Sequence, residues 1–120
     1  MNYDIHTYWR NEVEKSEALK LKQLLLENQV QTFTPVDIPI GPHPFPMFES
    51  HVSGAQLLEI EKLLVANRQR CSVLIHEKTG DHMYDHTKGA RWLGDALELN
   101  LEFLRNFAGQ WRRMRDLNPR

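Results

Sequence analysis

The sequence predicts an α+β domain: a ferredoxin-like βαββαβ antiparallel sheet with an additional long C-terminal helix. Three observations predict it. Short β-branched and aromatic runs alternate with two amphipathic helical stripes in the order β-α-β-β-α-β. A proline-rich stretch separates the second and third strands. From Thr87 onward, apolar residues recur every three or four positions to the end of the chain. The 120 residues make one domain, 1–120, with too little chain for two independent cores.

Tyr3 to Trp9 carries aromatic and β-branched residues and reads as the first strand. Asn11 supplies an N-cap, with Glu12 and Glu14 in the first turn, where negative charge complements the helix dipole. Val13, Ala18, Leu21, Leu24 and Leu25 then mark a helix to about Asn28. Val30 to Ile38 reads as a second strand, and Pro35, lacking an N–H, places it at an edge or bulge. Pro39 to Pro46 holds four prolines and Gly41 and forms a stiff loop. Met47 to Val52 is a third strand. Ser53 and Gln56 form a capping box for a second helix to about Arg68, carrying Leu57, Ile60, Leu63 and Leu64. Cys71 to His76, nearly all apolar, is a buried fourth strand, followed by a turn at Lys78-Thr79-Gly80-Asp81. Ala90, Leu93, Leu97, Leu101, Leu104, Ala108 and Trp111 give the long third helix, ended by Asn118-Pro119. Two helices cover one sheet face, so the third helix or a second subunit must cover the other.

Composition narrows the function. Fifteen basic residues against sixteen acidic ones leave a formal charge of −1, which offers no electrostatic case for nucleic acid. Arg112, Arg113, Arg115 and Arg120 read as a solvated helix end. No run approaches the ~20 apolar residues that span a bilayer, and Met1 to Tyr8 lacks a signal-peptide pattern. The single Cys71 excludes an internal disulfide and fits the cytoplasm.

The six histidines carry the chemistry. Strand residues alternate faces, so His6 shares a side with Asp4 and Tyr8, and His76 lies opposite Val73 and Ile75. If Ile5, Val73 and Ile75 face the helices, His6 and His76 project together from the other face. His43, in Gly41-Pro42-His43-Pro44, has its backbone fixed by flanking prolines. His86 lies in Asp85-His86-Thr87. Imidazole suits Zn, Fe, Cu and Ni. In the simple topology His43 and His76 fall toward opposite ends of the sheet, and share an ion only if the proline loop folds inward. Each histidine also has a structural reading, strongest for His82 in an exposed turn; His51 could face Asp4. Trp92 and Trp111 read as packing residues and Cys71 as a small strand hydrophobe. Arg68 and Arg70 read as a solvated helix end, with a substrate carboxylate as the alternative.

Six segments in order, Ile5-His6-Thr7-Tyr8, Ile40-Gly41-Pro42-His43-Pro44, Asn67-Arg68, Ser72-Val73-Leu74-Ile75-His76, Thr79-Gly80-Asp81 and Asp85-His86-Thr87 leading to Ala90-Arg91-Trp92-Leu93-Gly94, resemble the DOPA 4,5-dioxygenase family. The resemblance implies a ferredoxin-like fold, a homodimer, and extradiol cleavage of DOPA or a related catechol with non-haem Fe(II) and O₂. It implies metal ligands among His6, His43 and His76, with Asp4 as a carboxylate alternative, and His86 as acid-base catalyst. Zn or another divalent metal would fit the protein as purified. Three positions depart from the family pattern: Asp4 stands in place of the first histidine of His-x-His, Val36 in place of a further histidine, and Glu77 in place of a proline. The alternative reading is a non-catalytic dimeric module that binds a metal or a small aromatic.

Overall fold

The computed structural model describes residues 1–106. Its elements are β1 (Asn2–Tyr8), α1 (Glu12–Glu27), β2 (Gln31–Thr32), β3 (Met47–Ser53), α2 (Gly54–Asn67), β4 (Val73–Glu77), α3 (His82–Asp85), β5 (Ala90–Leu93) and a last helical turn and a half, α4, at residues 101–106. The expected order of the first six elements is present. One five-stranded antiparallel sheet runs β2-β3-β1-β4-β5, with β1 at its centre.

Local chemistry sets the helix starts as the sequence implies. The Asn11 side chain accepts the Glu14 N–H at 2.9 Å. Ser53 and Gln56 close the capping box on α2. The α1 stripe differs in one respect: Val13 is exposed and Glu14 is buried. Glu14 tolerates burial because Arg10 grips both carboxylate oxygens at 3.0 Å. Ala18, Leu21 and Leu25 of α1 and Ile60 and Leu64 of α2 pack on Ile5, Phe48, Val52, Val73 and Ile75. That is the main core, and it occupies the sheet face opposite His6 and His76.

The second strand is much shorter than expected. After Gln31–Thr32 the chain returns to the sheet only at the Val36–Met47 bridge. Gln31 pairs with His51 and Val36 with Met47, so five residue steps on one side face four on the other. The extra residue is a bulge beside Pro35, which has no N–H for the ladder.

The long third helix is not shown, and its expected first turns are not helical. Ala90–Leu93 instead forms β5, in register with β4 as Leu74↔Trp92 and His76↔Ala90. The outer edge of β4 would otherwise carry unpaired backbone groups, and pairing satisfies them. Gly94, at φ +78°, turns the chain out of the strand, and Arg68 lies where any Cβ at that position would sit. Trp92, Leu97 and Leu99 then pack on Tyr8, Met47 and Leu74 as a second, smaller cluster. Among the described residues, cover for the second sheet face therefore comes from an irregular segment with α4. Ala108, Trp111 and the arginines beyond lie outside the described residues. Among the described residues no helix is long and apolar enough to cross a membrane.

Candidate metal centre

Sheet register brings the site together. Cross-strand neighbours on β1, β3 and β4 are His6↔Glu49, Asp4↔His51 and Asp4↔His76. Side chains directly opposite lie within reach of one another. His6 and His76 are diagonal neighbours, and their Nε2 atoms stand 3.3 Å apart. Both residues are buried, on the face away from the helices, as the strand alternation implies.

His43 arrives from the loop. The His43 N–H donates to the Ile40 carbonyl at 2.9 Å, closing a turn at Gly41, whose φ is +58°. The Asn100 N–H donates to the Pro42 carbonyl at 2.8 Å, and the Phe103 ring lies against Gly41. These contacts fold the loop inward over the sheet. The His43 ring ends 4.3 Å from that of His6, centroid to centroid, so the separation expected from simple topology does not arise. Its Nδ1 meets the Tyr8 hydroxyl at 2.7 Å.

His86 follows α3. Asp81 caps that turn by accepting the Tyr84 N–H, and the buried Asp85 carboxylate accepts from both the N–H and hydroxyl of Thr79. The His86 ring is thereby held 4.7 Å from His76 and 6.1 Å from His6. His82, expected in an exposed turn, is half-buried, lines the same cavity, and offers its carbonyl to His86 Nδ1 at 2.7 Å.

All four histidines singled out in the sequence thus converge. They line a cavity of about 420 Å³ together with Asp4, Glu49, Phe103 and others, a size suited to a small molecule. Within it, ligand atoms of His6, His43 and His86 form one compact group, and those of Asp4, His6 and His76 another. His6 belongs to both; Asp4, Glu49 and His51 form a third group, and the expected trio of His6, His43 and His76 is not among the compact groups of the described residues.

The donor chemistry fits a divalent metal. A backbone carbonyl only accepts, so the Nδ1–H of His76 (to Glu77 O, 3.0 Å) and of His86 (to His82 O) fixes each tautomer. Each Nε2 lone pair is left facing the cavity, the outer-shell arrangement typical of metal-bound imidazole. His6 Nδ1 is buried without a hydrogen bond, 3.6 Å from the Glu49 carboxylate. Two nitrogens bound to one ion at about 2.0–2.1 Å sit about 3.0–3.4 Å apart, which matches the His6–His76 spacing. Burial, then the neighbouring His43, His76 and His86, holds the His6 imidazole well below its ordinary pKa. Burial and His86 lower His43 to about 3. Burial also lowers His86, partly opposed by its bond to the His82 carbonyl. Neutral imidazoles are the ligating form.

Two partners escaped the sequence reading. Tyr8 lies two residues from His6 on the same strand face, which was legible, but its contact with His43 depends on the loop. Glu49 sits opposite His6 in register. His51 does face Asp4, at 3.1 Å, and also reaches Glu49 at 2.7 Å; Asp4 in turn lies 4.0 Å from His76 Nε2. Val36 pairs with Met47, at the end of β3 away from Asp4, and supplies no ligand. Arg68 donates to the Cys71 carbonyl and Arg70 pairs with Glu17, so neither serves this cavity. Cys71 is a buried core residue, its thiol pushed up to about 12 by burial. Trp92 packs against Tyr8, from a strand and not a helix.

The chain also resembles known proteins. The Dopa 4,5-dioxygenase family matches residues 3–103. A DOPA 4,5-dioxygenase of Amanita muscaria is 30% identical over 83% of this chain and 47% of its own length. An uncharacterised 21.2 kDa protein of Botryotinia fuckeliana is 31% identical over 90% of this chain and 66% of its own. The chain therefore spans about half the length of the first relative and just under two thirds of the second. A crystal structure from Nostoc punctiforme, provisionally assigned as a dioxygenase, superposes with a TM-score of 0.84 at 34% identity, covering 88% of this chain and 92% of that one.

Proposed function

This chain belongs to the Dopa 4,5-dioxygenase family, and on that premise we propose that it is an extradiol dioxygenase that opens the ring of DOPA or a related catechol with O₂. The observation that carries the proposal is the convergence of His6, His43, His76 and His86 in one cavity large enough for a catechol.

His6 and His76 would hold the metal, Fe(II) in function, with Asp4 grouped beside them as a carboxylate ligand and His43 as the further ligand that the family resemblance implies. Bound Fe(II) would supply a template for the two catechol oxygens and O₂ and a path for electrons between them. The protein's own residues do the rest. His86 presents a neutral Nε2 lone pair to the cavity and takes the proton of a catechol hydroxyl there. Its Nδ1–H stays on the His82 carbonyl, so the ring keeps its orientation as Nε2 gains and returns that proton. Pro42, Phe103 and Leu104 give the cavity an apolar wall for the ring and limit water.

Anaerobic loading with Fe(II), followed by air and a panel of catechols, tests the proposal. A yellow ring-cleavage product supports it; no product with any catechol refutes it. One observation favours a second reading. His51 engages both Asp4 and Glu49, which suits a non-catalytic module that holds metal or a small aromatic. Metal uptake and catechol binding without turnover would select that reading. The homodimer and cytoplasmic setting belong to the same proposal, and light scattering tests the first.

A further inference from the structure

From the cavity's charge pattern we infer that Lys78 is a specificity-determining residue, meeting a carboxylate carried on the side chain of the catechol. The inference rests on the dioxygenase reading above. Lys78 is the one Lys or Arg side chain lining the cavity among the described residues. Arg70, Arg10 and Arg91 do not line it and are paired with Glu17, Glu14 and Glu61. Lys78 forms no ion pair among the described residues, although Asp4 and Glu49 line the same cavity, and both of these are engaged by His51. An ammonium group left unpaired beside a ligand cavity is available to an anion on the ligand.

Position supports the same role. The Lys78 N–H donates to the Asn2 carbonyl at 2.8 Å, which continues the β1–β4 ladder by one step. Lys78 therefore follows His76 by two residues on the same sheet face, about 6.6 Å along the strand at 3.3 Å per residue. Lys78 and Phe103 line the same cavity as the histidines, so a catechol bound there shares one space with the ammonium group. Lys78 is exposed at the cavity mouth, so its contribution is a moderate, salt-sensitive one.

The test uses the full chain loaded with redox-inert Zn(II), and two probes that differ in the carboxylate: 3,4-dihydroxyphenylacetate and 4-methylcatechol. Calorimetry gives dissociation constants for wild type, Lys78→Met and Lys78→Arg. Wild type should prefer the carboxylate probe; Lys78→Met should reduce that preference about two- to fivefold and Lys78→Arg should retain it. Raising the salt should erode the preference in wild type and leave Lys78→Met little changed. Equal binding of the two probes by wild type, or an equal loss of both in Lys78→Met, overturns the inference and leaves the dioxygenase reading standing. Binding of neither probe by wild type overturns both. Zn(II) affinity serves as the folding control, and should be the same in all three proteins.

Discussion

The Nε2 atoms of His6 and His76 face each other at 3.3 Å between two central strands, both rings buried. Because His76 Nδ1 donates to a carbonyl, its Nε2 carries a lone pair. Either His6 Nε2–H donates to it, stranding the His6 Nδ1 lone pair beside the Glu49 carboxylate, or two lone pairs oppose each other. A shared cation removes the conflict.

The pair is therefore not a stability device. Replacing both partners of a buried polar contact with apolar groups is often neutral. The double substitution His6→Leu/His76→Leu should abolish metal binding while leaving the metal-free protein within about 1 kcal/mol of wild type. Chemical denaturation checks it; a loss of more than about 3 kcal/mol would mark the pair as structural.

Tyr8→Phe removes the hydroxyl that orients His43. Outer-shell partners of metal-bound histidines typically contribute 10–100-fold in affinity, so metal affinity should fall by about that factor. Chelator competition measures it. Unchanged affinity would place His43 outside the metal shell.

Acid should destabilise the metal-free protein. His43, lowered to about 3, and His6 and His86, also lowered, are neutral in the fold but take protons near pH 6.5 when unfolded. The unfolded chain then binds more protons, so stability is full above about pH 6.5 and falls as pH drops toward the folded values. Between pH 7.5 and 5, His43 alone accounts for about 2 kcal/mol. Denaturation midpoints at pH 7.5 and 5 test the sign; equal midpoints would contradict it.

His86 has a role separable from metal binding. His86→Gln should retain the metal and lower kcat by about 10²–10⁴-fold, the range for loss of a general acid-base group. Loss of metal in that variant would instead make His86 a ligand, consistent with its compact grouping with His6 and His43.

What the sequence allowed and what it withheld follow from the range of the forces involved. Strand alternation is local, so Ile5, Val73 and Ile75 on one face and His6 and His76 on the other were legible, as were the caps at Asn11 and Ser53. The segment after Thr87 was not. Its three-to-four spacing suits a helix, but Ala90–Leu93 gains more by closing the open edge of β4, a partner distant in sequence. His43 posed the same difficulty. Nothing near it in the chain announces Tyr8, Asn100 or Phe103, which together aim the loop at His6.

The most direct measurement is a Co(II) titration of the metal-free protein, followed by its visible spectrum, with His6→Ala in parallel. The expected result is saturation at a single equivalent per chain with multi-imidazole absorption, and loss of that absorption in His6→Ala, since His6 belongs to both groups that hold two or more histidines and the third, Asp4, Glu49 and His51, offers a single imidazole. No uptake by wild type, or identical absorption in His6→Ala, would contradict it.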